Sequence, residues 1–310
     1  MLKHLASLCL LAVSFVLSAA AQAEYIPKAE RVADRVYAIV GPLGQRSAEN
    51  DGLNANFGFI ETKTGVILID SGASRLGAEK IEQAIRIVTD KPVRWVINTG
   101  GQDHRWFGND YFASRGAEII ALRKTAATQT QYAAQELQSL ERFLGERLRG
   151  TTPLPATRTL DGNAATLELD GESVTLQYTH AHFPGDAMVH LPKRGIVFAG
   201  DLVYVDRLLA ILPWSSVSQA QQAFKALAGL KPAHIVPGHG RVCDLAQAQR
   251  ETGDYYEFLT NTIGKAAKDM EAMDEVLNKN ADLPAFKHLA NYDTLHRANM
   301  NRAFTEFESQ

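Results

Sequence analysis

Apolar residues along the chain first recur with the period of strands. RVYAIVG (35–41), NFGFIET (56–62) and TGVILIDSG (64–72) alternate or cluster β-branched and aromatic residues, with Gly and Asn between them, which predicts an opening β-meander. The period then lengthens. Ile81, Ala84, Ile85 and Val88 fall at helical intervals, and Pro92 stands just before a strand-like VRWVI (93–97). AEIIAL (117–122) reads as another buried strand, and TQTQYAAQELQSLERFLGERL (128–148) as a long helix of good helix formers.

After a Pro- and Thr-rich run, TTPLPATRTL, four more strands are predicted: ATLELD (165–170), SVTLQYTH (173–180), DAMVHLP (186–192) and GIVFAGD (195–201). SVSQAQQAFKALAGL (216–230) follows as a helix, and HIVPGHG (234–240) as a strand feeding a glycine-flanked turn. Two β-rich halves, each finished by helices, predict an α/β fold: an αββα sandwich of two mixed β-sheets packed face to face with helices outside. From residue 247 polar helix formers with scattered aromatics (Tyr255, Tyr256, Phe258, Phe286, Tyr292) predict a C-terminal helical extension, 247–310, beside a main domain of 24–246.

Residues 1–23 read differently. Lys3 precedes an apolar stretch that ends in small residues at Ala21 and Ala23, the pattern of a cleaved secretory signal and so of a periplasmic or secreted protein. A retained anchor would want about 20 apolar residues and no such ending. With 310 residues, a formal charge of −3 and both signs interspersed, the sequence offers no basic stripe, so neither nucleic acid nor an anionic membrane surface is expected as a partner once the signal is removed. Cleavage would leave Cys243 alone, which excludes an internal disulfide and any multi-cysteine metal site; a packing role is expected for it.

The chemistry gathers where strands run out into loops. Asp70 follows LI, Asp103, His104 and Arg105 lie in NTGGQDHRW (98–106), His180 and His182 in THAHFPGD (179–186), Asp201 in FAGDLVY (198–204) and His239 in PGHG (237–240). Each histidine alone is an ordinary loop residue. Five strand-to-loop junctions, each carrying a metal-capable group and mostly flanked by glycine, point to a hydrolytic metal site assembled from loops and acting on a small-molecule substrate. Imidazole and carboxylate without thiolate suit Zn²⁺, as one or two ions, with iron or manganese as alternatives. Asp201 is the candidate hub of a two-metal arrangement, in which the ions would lower the pKa of bound water toward about 7.

In this order the residues resemble the metallo-β-lactamase superfamily, over Val36 to about Val242. LIDSG resembles its first motif, AHFPGD its A-H-T-x-G-D, FAGDLVY the motif with the bridging aspartate, and PGHG the motif with the last histidine. The resemblance implies the αββα sandwich with a metal site along one edge, His182 as a first-metal ligand, Asp201 between the metals and His239 at the second. The signal pattern, VFAGDLVY (197–204) and the W-x-G-N of residues 106–109 resemble most the exported branch called quinoprotein relay system zinc metallohydrolases, which would imply a periplasmic quinoprotein as partner.

One motif departs from the family. Where the superfamily has T-H-x-H-x-D-H, this chain has Thr99, Gly100, Gly101, Gln102, Asp103, His104 and Arg105. Aligned on Asp-His, Thr99 and Gly101 replace the first two histidines; aligned without a gap, Gly100 and Gln102 do. In either register the first metal keeps only His182 and Asp201, fewer than the three protein ligands of a catalytic zinc. The second keeps His104, Asp201, His239 and, in one register, Asp103. A single occupied site is therefore expected, in a hydrolase whose metal-activated water attacks an ester, thioester, amide or lactam, with Asp103, His104 and His182 the catalytic set and His182 free to act as a base. The alternative is a non-catalytic periplasmic accessory or binding protein that kept the fold and lost the first metal. Arg105 is open to pinning an anionic substrate group or covering loop backbone; His180, two residues before His182 and so on the same strand face, is a candidate substitute ligand; Asp70 orients ligands from behind. His190, His234, His288 and His296 carry no motif.

Overall fold

The structure, a computed structural model, describes residues 25–310. The signal segment expected at 1–23 lies outside the described residues, and no described helix is long and apolar enough to cross a membrane.

The first sheet has seven strands in chain order, β1 (Ala29–Ala33), β2 (Val36–Ile39), β3 (Phe57–Glu61), β4 (Val66–Ile69), β5 (Val93–Ile97), β6 (Glu118–Leu122) and β7 (Arg158–Leu160). Pairing is antiparallel from β1 to β4 and parallel from β4 to β7. The parallel strands need crossovers. These are α1 (Arg75–Arg86), then the short α2 (Asp103–Trp106) and α3 (Asn109–Ala113), then α4 (Arg123–Leu144). The second sheet runs β12 (His234–Val236), β11 (Ile196–Phe198), β10 (Ala187–Leu191), β9 (Glu172–Tyr178), β8 (Ala164–Leu169), with only β11 and β12 parallel, joined through α5 (Val217–Gly229).

Strand alternation makes the layers. In β4, Ile67 and Ile69 point between the sheets, into a core with Leu176, Val189 and Phe198, whereas Val66 and Leu68 join Ile81 and Ile85 of α1 on the outer face. The predicted αββα sandwich is thus the fold. Closeness of the two sheets depends on Gly58 of β3: a Cβ there would lie 2.0 Å from Cε1 of Phe198. Gly58→Ala is expected to overpack this interface and cost about 1–3 kcal/mol, seen as a lower urea midpoint at unchanged m-value; an unshifted midpoint contradicts it.

The C-terminal segment 245–268 is one irregular helix in which α6 (Leu245–Ala248), α7 (Asp254–Phe258) and α8 (Lys265–Lys268) are separated by two π-helical turns, followed by α9 (Met273–Lys279) and α10 (Tyr292–Glu308). It shares a core with the second sheet's outer face: Tyr255, Tyr256, Met300 and Phe304 belong to one cluster with Met188, Val197 and Ile235 of that sheet and Phe224 of α5. Cys243 is buried there, and burial pushes its thiol up to about 12, in keeping with the packing role.

Three elements differ from the sequence expectation. Strand β1 pairs with β2 across the turn at Asp34 and Arg35 although its residues are mostly half-buried or exposed and so carry little hydrophobic pattern. Strand β7 lies within the Pro- and Thr-rich run, its three half-buried residues held by parallel pairing to β6. The stretch after β5 is not a loop but opens into the single turn α2, so His104 and Arg105 sit on one helical turn.

Candidate metal centre

The carboxyl ends of β4, β5, β11 and β12 lie at one edge of the sandwich and deliver Asp70, the 98–105 stretch, Asp201 and His239. Asp70 leaves β4 with a positive φ of 62°, and turns its carboxylate onto the chain beside it, accepting from the backbone N–H (2.7 Å) and hydroxyl (2.6 Å) of Thr99. Arg105 is 1% exposed. Its guanidinium grips Asp201 with two donors, Nε to Oδ2 at 3.1 Å and Nη2 to Oδ1 at 2.6 Å, and gives Nη1 to Asp70 Oδ2 (3.1 Å) and the Asn56 carbonyl (3.0 Å). The fork geometry of a guanidinium matches a carboxylate in this way, where an ammonium would not. Arg105 therefore neither faces substrate nor merely covers loop backbone: it is an internal cation between two buried carboxylates. Burial opposes ionisation of Asp201, but Arg105 and His104 outweigh it and hold that carboxyl well below the usual range.

His104, Asp201 and His239, all buried, each offer a donor atom within 4.8 Å of the others. His239 contacts the Asn54 carbonyl through Nδ1 at 2.8 Å, which fixes that nitrogen as the donor and turns the lone pair of Nε2 toward Asp201 Oδ1, 3.3 Å away. Tyr204 stacks on the His239 ring at 4.8 Å between centroids and donates its hydroxyl to Asp201 Oδ1 at 3.2 Å. His104 Nε2 lies 3.0 Å from Asp201 Oδ2, and its Nδ1 3.2 Å from Asp103 Oδ1. Burial pushes His239 down to about 3, so its ring is neutral at neutral pH, as a ligand must be. In His104 burial also lowers, but Asp201 and the bonds to both carboxylates raise the value overall. Two imidazoles and a carboxylate, each oriented from behind by a carbonyl, a carboxylate or a guanidinium, fit one divalent cation with three protein ligands and an open position.

Asp103 is placed outside that group. Its Oδ1 accepts the His104 N–H at 2.6 Å and its Oδ2 is paired with Arg46, so it orients His104 instead of pointing at the common centre. Glu136 of α4 accepts the Asp103 N–H at 3.2 Å, and burial together with the Asp103 charge pushes its carboxyl up to about 7. Between pH 4.5 and 7 the folded state thus holds a proton that the unfolded chain has lost, and stability falls as pH rises through that window. Glu136→Gln removes the penalty. The variant is expected to gain on the wild type from pH 4.5 to pH 7, by at most about 1.4 kcal/mol per pH unit, in urea unfolding at several pH values; a pH-independent difference contradicts it.

His182 stands beside the three but not among them. Its Nδ1 meets the Ala210 carbonyl at 2.8 Å, its ring lies 5.9 Å from Tyr204, and burial pushes it down to about 4. The space a first metal's histidines would need is filled. A Cβ on Gly100 would sit 2.9 Å from Asp186 Oδ1 and 3.1 Å from Arg105 Cγ, and one on Gly101 would sit 2.5 Å from Thr128 Cγ2 of α4. Each register of the degenerate motif thus meets an obstacle at one of its two replaced histidines, Gly101 in one and Gly100 in the other, and the residues present do not fit a first metal. His180 is no substitute: β9 ends at Tyr178, the backbone at His180 has a φ of +48°, and its Nδ1 pairs with the Tyr178 hydroxyl at 2.5 Å, so the period-two argument no longer applies.

Sequence reasoning missed Arg46, Glu136 and Tyr204. Arg46 and Glu136 come from a polar loop and from mid-helix, far from any histidine motif; only the pairing of distant segments brings them to Asp103.

A family model described as the metallo-beta-lactamase superfamily matches residues 50–239. No curated protein matches the chain. Among solved structures, the DIM-1 metallo-beta-lactamase is 20% identical, with 76% of this chain and 98% of that one covered and a TM-score of 0.58. A metallo-beta-lactamase from Pontibacter korlensis is 17% identical over 74% and 99% of the chains, TM-score 0.60. The inverting sec-alkylsulfatase Pisa1 from Pseudomonas sp. is 15% identical, TM-score 0.71, covering 91% of this chain and half of that one, the C-terminal helices here falling partly within the match. At such identities these structures speak for the fold, and it is the family model, spanning the strand-end residues from Asp70 to His239, that carries the assignment: the chain belongs to the metallo-β-lactamase superfamily.

Proposed function

We propose that this protein is an exported hydrolase that works with one divalent cation, zinc by donor chemistry, held by His104, Asp201 and His239. The carrying observation is the convergence of those three side chains, with the His239 lone pair turned inward and Asp201 kept ionised by Arg105. The cation would supply the acidity that activates water and polarises the scissile bond of an ester, thioester, amide or lactam. The chain supplies the rest. His182, neutral and beside the group, accepts a proton at Nε2 while the Ala210 carbonyl holds Nδ1. Asp103 keeps the His104 ring in place. Export rests on the pattern of residues 1–23, and the quinoprotein partner on the branch resemblance.

A second reading, a non-catalytic binding or accessory protein, is favoured by one observation: both oxygens of Asp201 already accept from Arg105. Arg105 and Tyr204 together occupy Oδ1, but Oδ2 accepts only Arg105 Nε once His104 Nε2 serves as a ligand, so its second lone pair stays open to a cation. Metal analysis of the mature protein purified without chelator decides between the two readings. One equivalent supports the hydrolase; less than about a tenth sinks it in favour of the accessory role.

A further inference from the structure

We infer that the cleft beside this site receives the non-reacting part of the substrate, and that this part is an extended or flat apolar group such as an aryl or long acyl chain; the inference rests on the hydrolase reading above. The cleft has a volume of about 440 Å³, within the range of small-molecule sites. Gln102 and Asp103, which lead to His104, bound one side. Leu212 and Trp214, from the segment that holds His182 through Ala210 and Ser215, bound the other. One face of α4 forms its length: Gln135, Ser139 and Phe143 recur every fourth residue, a span of about 12 Å.

What the cleft would bind follows from its exposed residues. The described chain exposes five large hydrophobics, and two of them, Phe143 (50%) and Trp214 (38%), line this one cleft. Trp214 is held by edge contacts to Phe183 and Tyr132, 5.5 and 6.2 Å between centroids, so its ring is a fixed wall. Leaving such surface in water costs free energy that an apolar ligand would recover. Polar groups sit at the Asp103 end, where Arg46 uses one nitrogen on Asp103. A substrate would therefore lie with its scissile group toward Asp103 and His104 and its apolar body along α4.

The test is calorimetric binding of 2-naphthoate and of acetate, which share a carboxylate and differ in the apolar body, to wild type, Phe143→Ala and Phe143→Asp. Phe143 is half exposed, so these variants are expected to fold, and circular dichroism checks it. Naphthoate should bind wild type at least about tenfold more tightly than acetate and lose about tenfold in Phe143→Ala, more in Phe143→Asp, with acetate unchanged. Equal affinity for the two carboxylates, or equal naphthoate affinity in all three proteins, overturns the inference. Metal content of the same preparation, measured separately, judges the enzymatic reading: naphthoate binding with less than about a tenth of an equivalent of metal sinks that reading alone.

Discussion

Arg105→Met should lower the unfolding free energy by about 3–5 kcal/mol, measured in urea, the range for breaking a buried ion pair by removing one partner. The side chain is 1% exposed and its loss leaves Asp70 and Asp201 facing each other without their shared cation. Thr99 still donates twice to Asp70, and Tyr204 and the imidazoles still contact Asp201, so the change is expected to weaken the fold and not abolish it. Arg105→Lys keeps the charge but cannot make the fork, and should fall between the two. Because Arg105 and Asp201 are partners, Arg105→Met and Asp201→Ala should cost less together than the sum of their separate costs. Additive costs mean that the two side chains are not coupled.

Asp201→Ala carries the other large effect. If the three-ligand site is the hydrolytic centre, the variant loses the carboxylate shared by His104, His239, Arg105 and Tyr204. Turnover of an aryl ester, a thioester or nitrocefin, whichever the wild type accepts, should fall by about 10³-fold or more, equivalent to several kcal/mol of transition-state stabilisation. Bound metal should fall with it. The variant also strands Arg105 with Asp70 alone, so assays belong at a temperature where circular dichroism shows it folded. Equal turnover by folded variant and wild type would remove the metal mechanism.

The strand and helix periods, the two β-rich halves and the placement of His and Asp at strand ends were legible in the sequence because local repeat and turn chemistry are written residue by residue. From them came the sandwich, and from the degenerate T-G-G-Q-D-H-R stretch the expectation that the first metal had lost its ligands while His104, Asp201 and His239 stayed together. Tertiary structure decided the rest. Only the folded chain shows that Thr128 and Asp186 fill the room beside Gly101 and Gly100, that Asp103 turns to Arg46, and that Arg105 is an internal counter-ion to Asp70 and Asp201. Those outcomes depend on atoms 27 to 96 positions apart in the chain meeting within a few ångströms, and on one buried guanidinium reaching two carboxylates at once; neither periodicity nor motif spacing encodes such distances.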